Sequence, residues 1–222
     1  MKSVSTQLRE ASGESWGSLV ENTFVAQMAD GSLPLDSFRF YIEQNLLYLP
    51  RYSRMLGFAV ANSQDLRYLG RFQRALKQIM EVEVPANERL LADVIHRGAA
   101  SLGGTTAGTA CVDYGNFLVA TAATCSSNDV IAAMLPCAWS YADIAARYGA
   151  VAPHPIYEQW LGVFGGDDYQ TYIEGLISEV DALFGDTPLP DLDRLKSIFA
   201  TGVRMETAFW AAAMNIERPG GR

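Results

Sequence analysis

Apolar residues recur at helical intervals along almost the whole chain. Leu8, Trp16, Leu19, Val20, Phe24 and Met28 predict a first helix over residues 5–29. Asp30-Gly31-Ser32-Leu33-Pro34 reads as a turn, with Gly31 as the helix stop. A second helix opens at Leu35-Asp36-Ser37-Phe38 and runs to about Asn62, bent at Pro50. On it Tyr41, Asn45, Tyr48 and Tyr52 fall on one face, while Phe40, Leu47 and Arg51 fall on another. A third helix, capped by Asp65, is predicted to about Arg97 with an interruption at Pro85. Glu81 and Glu83, just before that break, read as a solvated or subunit-facing segment.

Residues 98–108, rich in Gly, Ala, Ser and Thr, form the clearest loop, a connector between similar helical patterns. A fourth helix is expected from about Ala110 to Thr124, and Ser126 to Asp129 supply a turn and cap. The fifth runs from Val130 to about Tyr148. His154-Pro155-Ile156-Tyr157 starts a short sixth, with proline at a permitted early position and His154 capping or packing in the turn. Gly165-Gly166-Asp167-Asp168 breaks the chain into a seventh ending near Phe184. After a turn over residues 186–190, a last helix reaches about Ile216, followed by a disordered tail. No alternating strand pattern, hairpin turn or internal repeat interrupts this series. The expected fold is all-α, in a single domain spanning residues 1–222.

The fifth helix carries the most unusual stretch, Met134-Leu135-Pro136-Cys137-Ala138-Trp139-Ser140-Tyr141. Pro136 removes the amide that would bond to the Ala132 carbonyl, so a kink is expected beside Cys137. A proline and a cysteine inside a core helix point to packing or to a site.

Composition narrows the function classes. The net charge is −8, with no basic cluster to offset it, which disfavours nucleic acid and anionic membrane as partners. No stretch reaches the roughly 18 uncharged apolar residues of a membrane span, and the first residues have no apolar signal core. Three cysteines without a CxxC pair predict free thiols in a cytoplasmic protein. Two histidines in separate segments, His154 and an exposed His96, make a histidine-rich metal centre improbable, and no cofactor is expected.

Several segments together resemble the TenA/THI-4 (thiaminase II) family. They are Asp30-Gly31-Ser32-Leu33 with Phe38, Tyr41 through Leu49, Leu135-Pro136-Cys137-Ala138-Trp139, His154-Pro155-Ile156-Tyr157 with Trp160, Gly165-Gly166, and Glu206 with Phe209-Trp210. Singly each is weak; in this order and spacing they cover nearly the whole chain. The resemblance implies a heme-oxygenase-like helical bundle and a homo-oligomer, dimer or tetramer. It also implies a cofactor-free hydrolase of thiamine salvage, converting an aminomethyl-aminopyrimidine to hydroxymethylpyrimidine and ammonia, with thiamine cleavage as a related activity. By the same resemblance Cys137 is the nucleophile and Glu206 the proton relay.

Both roles make chemical sense. A thiol must shed its proton to attack a ring, and a base or polar backbone near the Pro136 kink is expected to raise the thiolate fraction of Cys137. Glu206 interrupts an apolar face holding Val203 and Trp210, where burial would raise its pKa toward neutrality. The bland readings are a small core hydrophobe for Cys137 and a surface carboxylate for Glu206. Cys111 and Cys125 match no motif and are expected to pack.

The chain departs from the family's pattern on the second helix, where Asn45 stands in place of an aspartate. Its amide cannot carry charge, but it can contact an amino group and adjacent ring nitrogen, as asparagine does with adenine. Tyr48 is expected to stack on the ring, and Tyr141 is expected among the substrate contacts. Phe164 replaces a tyrosine before Gly165-Gly166, keeping the ring and losing the hydroxyl. A pocket tyrosine on the fourth helix aligns near Asp113, with Tyr114 one step away. That register suggests that the carboxylate missing at position 45 has moved to Asp113.

Asn45 and Phe164 also favour a competing reading: a divergent relative that binds another heteroaromatic ligand or has lost turnover. A heme enzyme would need an axial histidine on an early helix, and a di-iron enzyme Glu-x-x-His pairs; the sequence has neither. A direct DNA-binding regulator is disfavoured by the acidic balance.

Overall fold

A computed structural model describes residues 2–149, 152–185 and 189–216. Eleven helices are named here in chain order: α1 (Val4–Ala11), α2 (Glu14–Val20), α3 (Thr23–Asp30), α4 (Leu35–Asn62), α5 (Leu66–Gln78), α6 (Val84–His96), α7 (Thr109–Thr124), α8 (Ser127–Tyr148), α9 (Pro155–Gly165), α10 (Asp167–Phe184) and α11 (Leu189–Met214). The described residues contain no strand. The all-α expectation holds. The expected tail, and most of the turn over 186–190, lie outside the described residues.

The first expected helix is three. Gly13 adopts φ 51°, which ends α1, and Asn22 restarts the chain as the N-cap of α3, accepting from the Val25 amide. Each piece keeps its apolar residues inward, which is why the periodicity looked continuous. Gly31 closes α3 in the left-handed conformation, as its position predicted. α4 stays one helix through Pro50.

The third expected helix divides at a π-helical turn, Ile79–Glu83, between α5 and α6. Pro85 cannot donate to the carbonyl four residues earlier, and its ring presses on that turn. The chain answers by widening into i→i+5 bonding.

α4 packs along α7, and α11 along α8, with α5 and α6 flanking α4 and α9 and α10 closing against α8. A continuous apolar core fills the space between them, with Trp160, Trp210, Tyr41, Tyr114 and Phe199 almost fully buried in it. The loop 98–108 is held by one side chain of α4. Gln44 donates to the carbonyls of Gly104 and Thr106 and accepts from the Gly108 amide. That clamp fixes where α7 begins and therefore which of its residues face inward.

α8 starts with a reciprocal capping box between Ser126 and Asp129 and carries Pro136 in its interior. Pro136 packs against α11 at Gly202, where a Cβ would meet Pro136 Cγ at 2.9 Å and the Ala133 carbonyl oxygen at 3.0 Å. Only a residue without a side chain lets α11 approach the proline turn this closely. The contact sets the distance between the segment holding Cys137 and the segment holding Glu206.

Candidate active site

A narrow cavity opens between α4, the π turn, α8, α9 and α10. From α4 it receives Asn45, Tyr48, Leu49 and Tyr52, and from α8 Cys137, Ala138 and Tyr141. Phe164 of α9, Tyr169 of α10, and Ile79 and Glu83 of the π turn complete it. The predicted face of α4 therefore does line a pocket, apart from Tyr41, which lies beneath it. There Tyr41 shares a 2.9 Å hydrogen bond with the Tyr141 hydroxyl and stacks on Trp210 at 4.7 Å. Tyr141 in turn meets Phe164 edge-on, with centroids 4.8 Å apart.

Glu206 is buried behind this wall on α11. Burial raises its carboxyl to about 7, and the charge of Glu83 adds to the rise. The Tyr114 hydroxyl, the Trp210 indole N–H and the Cys137 thiol pull the other way. Yet Tyr114 Oη and Trp210 Nε1 close no hydrogen bond of normal geometry; they are buried atoms without a partner, as is the nearby Tyr48 hydroxyl. All three of these atoms lie around one cysteine–carboxylate pair, Cys137 and Glu206. Arg204 does not neutralise Glu206; it reaches Thr201 on the exposed face of α11.

Cys137 is half-buried on the cavity wall. Burial pushes its thiol well above the usual range, and the charges of Glu206 and Glu83 push it further, while the Tyr48 hydroxyl lowers it. The expectation that the proline turn would favour thiolate is not met: burial holds Cys137 toward the thiol, with the Glu206 carboxyl beside it. Tyr48, Tyr114 and Tyr141 are likewise raised by burial, so they remain protonated and able to donate.

Asn45 donates to Asn87 Oδ1 at 3.0 Å, and Asn87 donates to the backbone carbonyl of Glu83 at 2.8 Å. A carbonyl can only accept, so Asn87 must turn its amide nitrogen to it and its oxygen to Asn45. Asn45 then has its oxygen and one N–H left for a ligand, which is still a donor–acceptor pair.

Asp113 requires correction. It is exposed on α7, and Tyr114, one residue on, is buried beside Tyr48 with centroids 4.9 Å apart. The Gln44 clamp sets that register, which the glycine-rich sequence had left open. Cys125 is exposed rather than packed, whereas Cys111 is buried and donates to the Gln44 carbonyl. His154 caps α9 through the Ile156 amide and lies against Tyr157.

Sequence reasoning missed Glu83. Half-buried rather than solvated, it lines the cavity, and burial raises its carboxyl to about 7. The available signal was Pro85, which widens the preceding turn and swings Glu83 inward with Ile79. Tyr169 was also missed; it reaches the wall by donating to the Ala138 carbonyl.

The comparisons agree with this architecture. A protein of Halalkalibacterium halodurans named aminopyrimidine aminohydrolase is 28% identical over 216 residues, covering 96% of each chain. The solved TenA homologue from P. horikoshii OT3 is 27% identical, with a TM-score of 0.85, over 97% of this chain and 100% of that one. Heme oxygenase 2 from Chlamydomonas reinhardtii superposes with a TM-score of 0.66 at 16% identity, covering 99% of this chain and 100% of that one, and so shares the fold. The family model TENA/THI-4/PQQC matches residues 10–216, and the chain belongs to that family.

Proposed function

We propose that the protein hydrolyses an aminomethyl-aminopyrimidine derived from thiamine to hydroxymethylpyrimidine and ammonia. The observation that carries this reading is the placement of Glu206, poised near neutrality, directly behind Cys137 on the cavity wall. The aromatic walls from Tyr48, Tyr141 and Phe164 suit a flat heterocycle, and the free oxygen and N–H of Asn45 suit an amino group beside a ring nitrogen.

The chemistry follows from the two groups. An amine on a carbon attached to an aromatic ring is a poor leaving group while the ring stays aromatic. In the proposed sequence Glu206 takes the Cys137 proton as sulfur bonds to a ring carbon, and returns a proton to a ring nitrogen. The ring electrons then expel the protonated amine as ammonia, leaving an exocyclic carbon–carbon double bond. Water adds to that carbon, and breaking the carbon–sulfur bond restores aromaticity and the thiol. The sum is one water consumed and one ammonia released, with no cofactor required by these steps. Thiamine would enter the same sequence with a different leaving group.

Phe164 and Asn45 favour a second reading, in which the cavity binds a heteroaromatic ligand without turning it over. Ammonia release from the aminomethyl compound, measured beside titration with hydroxymethylpyrimidine, separates the two. Release supports hydrolysis; binding without release supports the second reading. The proposal extends to self-association as a dimer or tetramer in the cytoplasm, for which the exposed Leu66, Met80, Val82 and Ile95 offer apolar surface.

A further inference from the structure

Glu83 is the carboxylate lining a cavity whose wall is backed by a second, Glu206. Its only perturbation is burial, which raises it to about 7; no hydrogen bond or cation among the described residues offsets that cost. Arg71, whose charge is felt at Tyr52, is committed to Glu179 and to the Tyr172 hydroxyl. The charge of Glu83 raises both Cys137 and Glu206, so it works against thiolate and against ionised Glu206 alike. Uncompensated charge of this kind is stabilised when a ligand brings a cation.

The backbone shows that the placement is built. The π turn aims Ile79 and Glu83, four residues apart, at the same cavity, and π turns are frequent at functional sites. Asn87 bonds the Glu83 carbonyl and Asn45 bonds Asn87, so the turn is tied to the recognition face of α4.

We propose that Glu83 is the amine-binding carboxylate of this pocket: it takes the exocyclic ammonium of the substrate, next to the Asn45 contact. The proposal rests on the aminopyrimidine reading and adds a specificity determinant to it. A primary alkyl amine is protonated at neutral pH, whereas the hydroxymethyl product is neutral. Glu83 therefore holds substrate more tightly than product. The ammonium it holds becomes the leaving group, and departure of neutral ammonia removes the cation that bound it.

Calorimetric titration of Cys137→Ala, with Glu83 intact and with Glu83→Gln added, using the aminomethyl compound and hydroxymethylpyrimidine, tests this without turnover. Glutamine keeps the size and removes the charge. A charge-assisted hydrogen bond corresponds to an affinity loss of about tenfold or more for the amine, while affinity for the hydroxymethyl compound stays within about twofold. A purely structural role would weaken both equally, and that result, or no loss for either, overturns the proposal while leaving the hydrolase reading intact. If the protein with Glu83 intact binds neither compound, both are overturned. Should Glu83→Gln not fold, Glu83→Asp keeps the charge and must retain the preference for amine over hydroxyl; loss of that preference also counts against the assignment.

Discussion

Asn45 and Asn87 form a matched pair: the amide nitrogen of one donates to the amide oxygen of the other, and the Glu83 carbonyl fixes which end is which. An aspartate at position 45 would set a carboxylate against an acceptor. Turning Asn87 over would relieve the clash but would abandon the bond to the π turn. Asn45→Asp should therefore destabilise the protein by about 1–3 kcal/mol, the cost of leaving buried polar groups mismatched. Urea denaturation measures it, and an unchanged midpoint would show that the pair does not constrain position 45.

Asp113→Asn should leave activity within about twofold of wild type, as expected for an exposed side chain away from the cavity. Tyr114→Phe should lower the turnover number by about tenfold or more, since it removes a hydroxyl facing Glu206. Steady-state ammonia release compares them. The opposite ranking would mean that α7 is one residue out of register.

The Gly202–Pro136 contact predicts that Gly202→Ala costs about 1–3 kcal/mol, as overpacking does in a close-packed core. The new methyl would meet ring and backbone rather than a flexible side chain. Thermal unfolding that is unchanged would show that α11 can shift without penalty.

Glu206 also predicts a pH signature. Its folded pKa, about 7, lies above the unfolded value near 4.5. The folded state then binds more protons between those values, so stability falls as pH rises through that window. Glu206→Gln removes the ionisation. Relative to wild type it should gain about 3 kcal/mol at pH 8, and the gain should vanish toward pH 4.5. A stability difference independent of pH would contradict a buried, raised carboxyl.

How much of this was legible in the chain differs by feature. The inward face of α4 was readable because periodicity alone places Asn45, Tyr48 and Tyr52 together. Cys137 and Glu206 were readable through motifs, but their adjacency was not; it depends on Gly202, an unremarkable glycine in the sequence. Asp113 was misread because the start of α7 is set by Gln44, more than sixty residues earlier in the chain. Glu83 was misread because a helical wheel assumes 3.6 residues per turn, and the π turn before Pro85 breaks that count. The errors fall where a long-range contact or a non-α turn decides the direction of a side chain.

The central claim is that Cys137 forms the covalent bond on which turnover depends. The most direct measurement is ammonia release from the aminomethyl-aminopyrimidine by wild type and Cys137→Ala, with hydroxymethylpyrimidine titration to confirm that both bind. The account predicts retained binding and a fall in turnover of roughly a thousandfold or more, the scale on which losing a covalent nucleophile is felt. Equal ammonia release by the two proteins would contradict it.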